Sequence, residues 1–509
     1  METGTINLRR RRVEGAAPQH RTRSPAERAS SVGGAELWCL VAICALGAGL
    51  RFGTLGLQSF WDDEAVTVGV VLAPGLWTTL GHIPSSEASP PLYYVIAWVW
   101  TRVFGHSEVG IRSLSAVLGT ATIPVAWWAA RTLVSRSVAL ATAALVAFSP
   151  EMVWYSQEAR GYALLVLLCT ASLGFMAAAI RTRSDRMLTW WAVVAALAIG
   201  THYFGAFVAI PEAAVLLWLL RERRRAVLVR TAGVGAVGVA LLPLAIHQAG
   251  YGHDLWIRYL ALGHRLGQAW KEFTIGRAAT PPSHLLPITH AVVIAAALVA
   301  LRGGLRLHAG ARRGFALALG IGIAALAIPL ALRLVGEDYF YARNLIGAWI
   351  ALAVALAVAA EVRLVGPVVL CAVCGMFLAL DVVTDTEPRM QRADWRGVSR
   401  VIGPAPHARA LVVPKEGRHA LTYYLRRVRE LPAGSSAVSE IDLLGRSSAP
   451  GPRFGPMPAG FRRVSRTRSG RFYFLRYLAP RPRRVTIDQL RNARLDQPRA
   501  SVLLQGPGR

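Results

Sequence analysis

Apolar and polar positions alternate along this chain in long blocks rather than residue by residue. Eleven predominantly apolar runs, at about 37–57, 112–131, 137–150, 162–180, 188–201, 204–220, 227–246, 286–301, 315–334, 345–360 and 364–381, are separated by polar loops. Runs of this length predict helices that cross a bilayer, because in hydrocarbon a helix satisfies its own backbone groups. A further run, Pro91 to Gly105, is short and rich in Tyr and Trp, and reads as an interfacial helix lying along the membrane. The predicted fold over 35–384 is an all-α polytopic membrane domain of about eleven transmembrane helices with interfacial helices.

The polar loops check that count. Arg131 and Arg136, Arg181 to Arg186, Arg221 to Arg225, Arg302 to Arg313, and Arg363 fall in every second loop, and the acidic and aromatic stretches fall in the others. Arginine-rich loops stay in the cytoplasm. The N-terminus is therefore expected inside. The turns carrying Asp62, Asp63 and Glu64, then Glu158 and Arg160, then His202 and Tyr203, then Glu337 to Arg343, are expected outside, as is the chain beyond 381. If 91–105 crossed fully, the later arginine clusters would be inverted.

Outside the apolar runs the pattern changes at both ends. Residues 1–34 are rich in Arg, Ser, Ala and Gly and read as a disordered basic cytoplasmic tail. From 385 the polarity is ordinary. Helical spacing at 394–402 and 419–427, with strand patterns at 408–413 and 472–477, predicts a small extracytoplasmic α/β domain over 385–480. Arginines and prolines make 481–509 a loose basic tail with room for one short strand at 502–504.

Composition agrees: 54% of the 509 residues are hydrophobic and 17% charged, against about 25% charged in soluble domains. The mean hydropathy is +0.39. The net charge of +28 sits in loops and tails that meet anionic lipid, with no binding fold or aromatic platform beside it, so membrane lipid and not nucleic acid is the expected partner. Lysine occurs only at Lys271 and Lys415 while Ala and Arg abound, as in a GC-rich bacterial genome. Cys371 and Cys374 have CxxC spacing, but they lie inside an apolar run without further ligands, which favours a packing role.

The chemistry is carried by polar clusters at the outer ends of the runs. Trp61-Asp62-Asp63-Glu64 sets three carboxylates just past the first span, where charge is costly unless it is solvated or used. Tyr155-Ser156-Gln157-Glu158-Ala159-Arg160-Gly161-Tyr162 falls on the same side. Such a set suits transfer of a sugar from a polyprenyl-phosphate donor. The lipid tail needs a membrane slot, a carboxylate deprotonates the acceptor hydroxyl, and arginine or a metal ion holds the departing phosphate. Arg160 and Arg343 are the candidate arginines on that side; Tyr155, Gln157, His202 and Tyr203 are candidates to line the sugar site. His202 is open to the alternative of a satisfied interfacial histidine. No Gly-rich nucleotide loop, Walker motif or Ser-His-Asp grouping is present.

The combination resembles the GT-C class of membrane glycosyltransferases that use polyprenyl-phosphate sugars, whose relatives include protein O-mannosyltransferases and the aminoarabinose transferase of lipid A modification. The resemblance lies in Trp61 to Ala65 with Ser89 to Tyr94, in Ser149-Pro150 with Tyr155 to Tyr162, and in Tyr339 to Asn344. It implies Asp63 as general base with Glu64 in support, although the additional Asp62 leaves the base at 62 or 63. It implies Arg160 and Arg343 as donor-phosphate ligands, and Glu158 as a second acid that in some relatives shares a divalent metal, Mg or Mn, with the first, here Asp63. It implies a cell-envelope acceptor, whether polysaccharide, glycolipid or protein, at the outer face of the cell membrane. Where relatives carry Asp or His before Pro90, this chain has Glu87. The alternative reading is a transporter or flippase of a lipid-linked precursor, whose ionisable groups would lie nearer the mid-plane.

Overall fold

The structure is a computed structural model and describes residues 33–253, 255–277, 285–446, 455–493 and 500–507. The basic tail expected at 1–34 falls outside those residues except for its last two, and Gly34 already opens the first helix.

Each apolar run forms a helix, with boundaries set by local chemistry. Eight helices among the described residues are long and apolar enough to cross a membrane: Gly34–Phe52, Glu108–Leu133, Tyr162–Thr182, Arg221–Gly250, Leu286–Arg306, Ala309–Leu334, Ala342–Glu361 and Val365–Thr386. A ninth is the pair Arg136–Phe148 and Pro150–Ser156, which bends by 58°. The bend has a clear cause. Ser149 caps the second piece through its hydroxyl, which accepts from the Met152 N–H, and Pro150 takes the first helical position, where its missing N–H costs nothing. Asp185–Thr201 and Ala206–Leu219 match two further predicted runs but have 17 and 14 residues. On length alone, the count of eleven is therefore not reached.

The run at 91–105 forms the helix Leu92–Phe104, ended by Gly105 at φ 77°. Its 13 residues rise about 20 Å, too little for a hydrocarbon core about 30 Å thick. The helix Leu262–Ile275, inside what the sequence presents as one long outer loop, was not anticipated. All five cysteines are free, and Cys371 is exposed rather than packed.

Beyond the last span, six strands form one sheet in the order β2-β6-β1-β3-β5-β4. They are β1 (Arg409–Val413), β2 (Val428–Glu430), β3 (Ser435–Arg446), β4 (Arg462–Ser469), β5 (Phe472–Thr486) and β6 (Ser501–Gln505). β1 and β3 run parallel, and the other pairs are antiparallel. This corrects the loose tail expected at 481–509. β5 runs through Thr486, a helix follows at Ile487–Asn492, and β6 lies between β2 and β1. Val502 and Leu503 are both buried, one in the core on each face of the sheet, and that outweighs the arginines around them.

The sheet domain shares a core with the membrane domain. Phe60, Tyr93 and Ile111 pack in one cluster with Trp395, Leu421 and Phe472. The other face of the sheet closes a separate core around Ile441, Leu475 and Val485.

Candidate active site

Three polar turns meet at one end of the bundle: 55–67, 157–161 and 337–344. The first is held open by its own acids. Glu64 is fully buried, and Arg112 grips it with two charge-assisted bonds, Nε to Oε1 at 2.8 Å and Nη2 to Oε2 at 2.6 Å. The Ala159 N–H adds a third at 2.8 Å. Arg112 also donates to the carbonyls of Leu55, Gln58 and Ser59. Burial alone would raise the Glu64 pKa, but Arg112, Arg392 and these hydrogen bonds hold it below the usual carboxylate range. Both Glu64 oxygens are thus engaged, and the residue ties the first turn to the second.

The triplet sits on a short helix, Asp62–Val66, so its three acids point in different directions. Asp62 turns to the sheet domain, where it accepts from the backbone N–H of His419 at 3.3 Å and faces its Nδ1 at 3.1 Å. Asp63 turns into the bundle, where Arg343 Nη1 donates to Oδ2 at 3.1 Å, and it keeps about a third of its side-chain surface open, 30%. Of the three, only Asp63 has oxygens that face the bundle and remain accessible.

The second turn is buried. Arg160 donates to Glu87 Oε1 at 2.8 Å and to Thr67 Oγ1 at 3.0 Å, so the unusual Glu87 is its counter-ion. Gln157 donates to the carbonyls of Leu50 and Arg51 and to Thr54. Its amide nitrogen thereby caps the end of the first helix. Glu158 does not pair with Arg160; its Oε2 accepts from Arg392 Nη2 at 3.0 Å, and Arg277 stands 4.0 Å away. Burial pushes Glu158 up, the two arginines restrain it, and Glu64 and Asp63 push it up further. Tyr155 accepts from Arg277 at 3.2 Å and meets Tyr162 edge to face.

The clusters converge on Tyr162, whose hydroxyl lies in the field of Arg343, Arg160, Glu158 and Asp63 together. His202 is stacked between Tyr162 and Phe204 and accepts from the Phe204 N–H. Burial, then Arg160 and Arg343, pushes its pKa down to about 3, so it is a neutral ring facing the same charges. Tyr203 donates to Gln248 at 2.8 Å and lines a cavity of about 370 Å³ with Phe204, Phe207, Leu242, Ala245 and Tyr339.

Asp63 and Glu158 each pair with an arginine through one oxygen, and among the described residues no three His, Cys, Asp or Glu side chains gather as a ligand set. No step is derived through a metal.

The sequence reading missed Arg112, Arg277 and Arg392. Arg277 packs its guanidinium over Trp61 at 4.8 Å, joining the first turn to Tyr155 and Glu158. Each of the three lies at the end of the bundle that carries the acidic turns, where the sequence pattern expects few arginines, and that exception was the available signal.

The family described as dolichyl-phosphate-mannose-protein mannosyltransferase matches residues 88–247. No curated protein matches the sequence. ArnT from Cupriavidus metallidurans in the apo state superposes with a TM-score of 0.56 at 14% identity, over 87% of this chain and 98% of that one. The same enzyme bound to undecaprenyl phosphate gives 0.50 at 15% identity, over 77% and 85%. The Archaeoglobus fulgidus oligosaccharyltransferase complex with Zn and sulfate gives 0.45 at 14% identity over 72% of this chain, which spans 55% of that protein's length. The fold is that of the GT-C membrane glycosyltransferases, and the chain is a multi-pass membrane protein.

Proposed function

We propose that the chain transfers a sugar from a polyprenyl-phosphate donor to a hydroxyl group of a cell-envelope acceptor, at the outer face of the cell membrane, with Asp63 as general base. Asp63 carries the reading. It is a partly open carboxylate with an arginine at 3.1 Å, set among otherwise buried charges. In the transfer, the acceptor oxygen bonds to the anomeric carbon as its proton passes to Asp63. The bond from that carbon to the phosphate oxygen breaks, and its electron pair leaves with the phosphate. The leaving group gains negative charge, and Arg343, Arg160 and Arg277 supply charge-assisted donors for it. Arg343 thus serves both ends, pairing Asp63 before the reaction and the phosphate after it.

The apolar side of the cavity beside Tyr203, lined by Phe207, Leu242, Ala245 and Leu332, suits the first isoprene units of the donor, while Arg258, Glu337 and Asp338 line its polar side. His202, Tyr155 and Glu158 are assigned to the sugar. Eleven crossings with the N-terminus in the cytoplasm, and with the sheet domain outside over the site, complete the reading. In vivo, the acceptor is a polysaccharide, glycolipid or protein of the envelope. The test is to incubate the purified protein with a panel of polyprenyl-phosphate sugars and measure release of polyprenyl phosphate. Release with one donor, abolished by D63N, is expected; no release with any donor refutes the proposal.

A further inference from the structure

Arg392 lies in the connector between the last span and the sheet domain, with 5% of its side chain exposed. Its Nη2 donates to Oε2 of Glu158 at 3.0 Å and its Nη1 to the Gln157 carbonyl at 3.2 Å, while its plane rests 4.3 Å over Trp154. Its backbone N–H donates to Gln58 Oε1 at 2.8 Å. Ser59 Oγ bridges the next two links of the connector, donating to the Ala393 carbonyl and accepting from the Trp395 N–H, both at 2.9 Å. One strap thus fastens the first polar turn and the second. Glu158 meanwhile has one oxygen engaged and the other, Oε1, buried and without a partner among the described residues. Glu64, by contrast, has both oxygens matched.

We infer that Arg392 is a positioning residue for the transfer: it holds Glu158 by one carboxylate oxygen so that the other is free to accept from a hydroxyl of the bound sugar. The inference rests on the glycosyl-transfer reading above. It makes the docked sheet domain a part of the active site rather than a lid over it, because the residue that holds Glu158 is fixed by the same strap that docks Trp395 against Phe60 and Tyr93. The groups facing Glu158 are Arg392, Arg277, Glu64 and Asp63, with Glu151 and the phenols of Tyr93, Tyr155 and Tyr162 around them. Arg392 is the larger of the two restraints on a carboxyl that burial already pushes up. Without it, Glu158 takes a proton at higher pH and stops accepting from the sugar.

The experiment compares pH profiles of kcat/KM for polyprenyl phosphate release by the wild type, R392Q, R392K, E158Q and the double variant R392Q/E158Q. R392Q should move the acid limb toward alkaline pH, with a loss on the acid side that is recovered as pH rises. R392K keeps the charge and should keep the limb in place, with a higher KM from the lost bond to Gln157. In the E158Q background, R392Q should add less than about twofold, because the two act through one carboxylate. Should R392Q fail to accumulate, a shifted limb in R392K with unchanged KM overturns the inference by itself. Coincident profiles for wild type and R392Q, or equal losses in the presence and absence of Glu158, overturn it while leaving the transferase reading intact. A wild type that releases nothing refutes that reading, and the inference falls with it.

Discussion

Three adjacent carboxylates with three different surroundings give a sharp prediction. Asp63→Asn keeps the size of the side chain and a hydrogen bond from Arg343, but it cannot take the acceptor's proton. General-base contributions run to about 10²–10⁴, so kcat should fall by that factor while donor binding and folding persist. Glu64→Gln loses the charge that compensates Arg112, a guanidinium 1% exposed. Breaking such a pair from one side costs about 3–5 kcal/mol, and here the Ala159 N–H loses strength as well. That variant should lose yield and heat resistance in detergent before it loses turnover per folded molecule. Asp62→Asn touches only the contact with His419, which is partly exposed; exposed pairs are worth about 1 kcal/mol or less, so turnover should stay within about threefold. The assay is polyprenyl phosphate release per mole of monodisperse protein, with thermal unfolding followed in parallel. A dead Asp62→Asn beside an active Asp63→Asn would move the base by one residue. Three variants of equal activity and stability would refute the division of labour altogether.

Arg343→Ala should raise donor KM by about 10- to 100-fold, for the loss of a charge-assisted bond of about 1.5–3 kcal/mol, with Lys rescuing only part because it lacks the planar fork; unchanged KM in a donor titration would return Arg343 to a helix anchor. His202, at about 3 in the fold against about 6.5 unfolded, binds its proton only on unfolding between those values. Stability that is fully present above pH 6.5 is thus lost as pH falls, by about 2 kcal/mol at pH 5, and His202→Asn should flatten that part of a stability-pH curve; a curve that stays as steep assigns the acid loss elsewhere. A stop after Asn492 removes β6 from between β1 and β2 and should leave a protein that limited proteolysis cuts throughout the sheet domain, where trimming only at the end would restore the picture of a loose tail.

The helical runs were legible because burial in lipid writes itself as length and hydropathy. The bend at Ser149-Pro150 was written in the sequence as a cap followed by a proline. Which acids do what was not legible. Asp62, Asp63 and Glu64 are consecutive, and only the helical turn through them sends one to the sheet domain, one to the bundle and one to Arg112. Gln157 lies inside a motif that reads as chemistry and works as a helix cap. The arginines that define the site, at 112, 277 and 392, come from three distant parts of the chain, and no local pattern links them. The short strand expected at 502–504 is β6, but the stretch before it was misjudged as a loose tail because it is basic; what makes β6 part of the domain is the slot left for it between β1 and β2.

That slot has a kinetic consequence. Val412 and Val502 face each other across the sheet, about ninety residues apart in sequence, and β2, made soon after β1, cannot join until β6 arrives between them. Contacts of such separation close slowly and late. The first turn, with Asp63 on it, is among the earliest parts of the bundle to be synthesised, yet the strap and core that fix it belong to a domain whose gap between β2 and β1 is filled last. Newly inserted molecules therefore pass through a period in which the membrane helices are in place and the carboxylates are not yet held, and the site is complete only when its sheet closes.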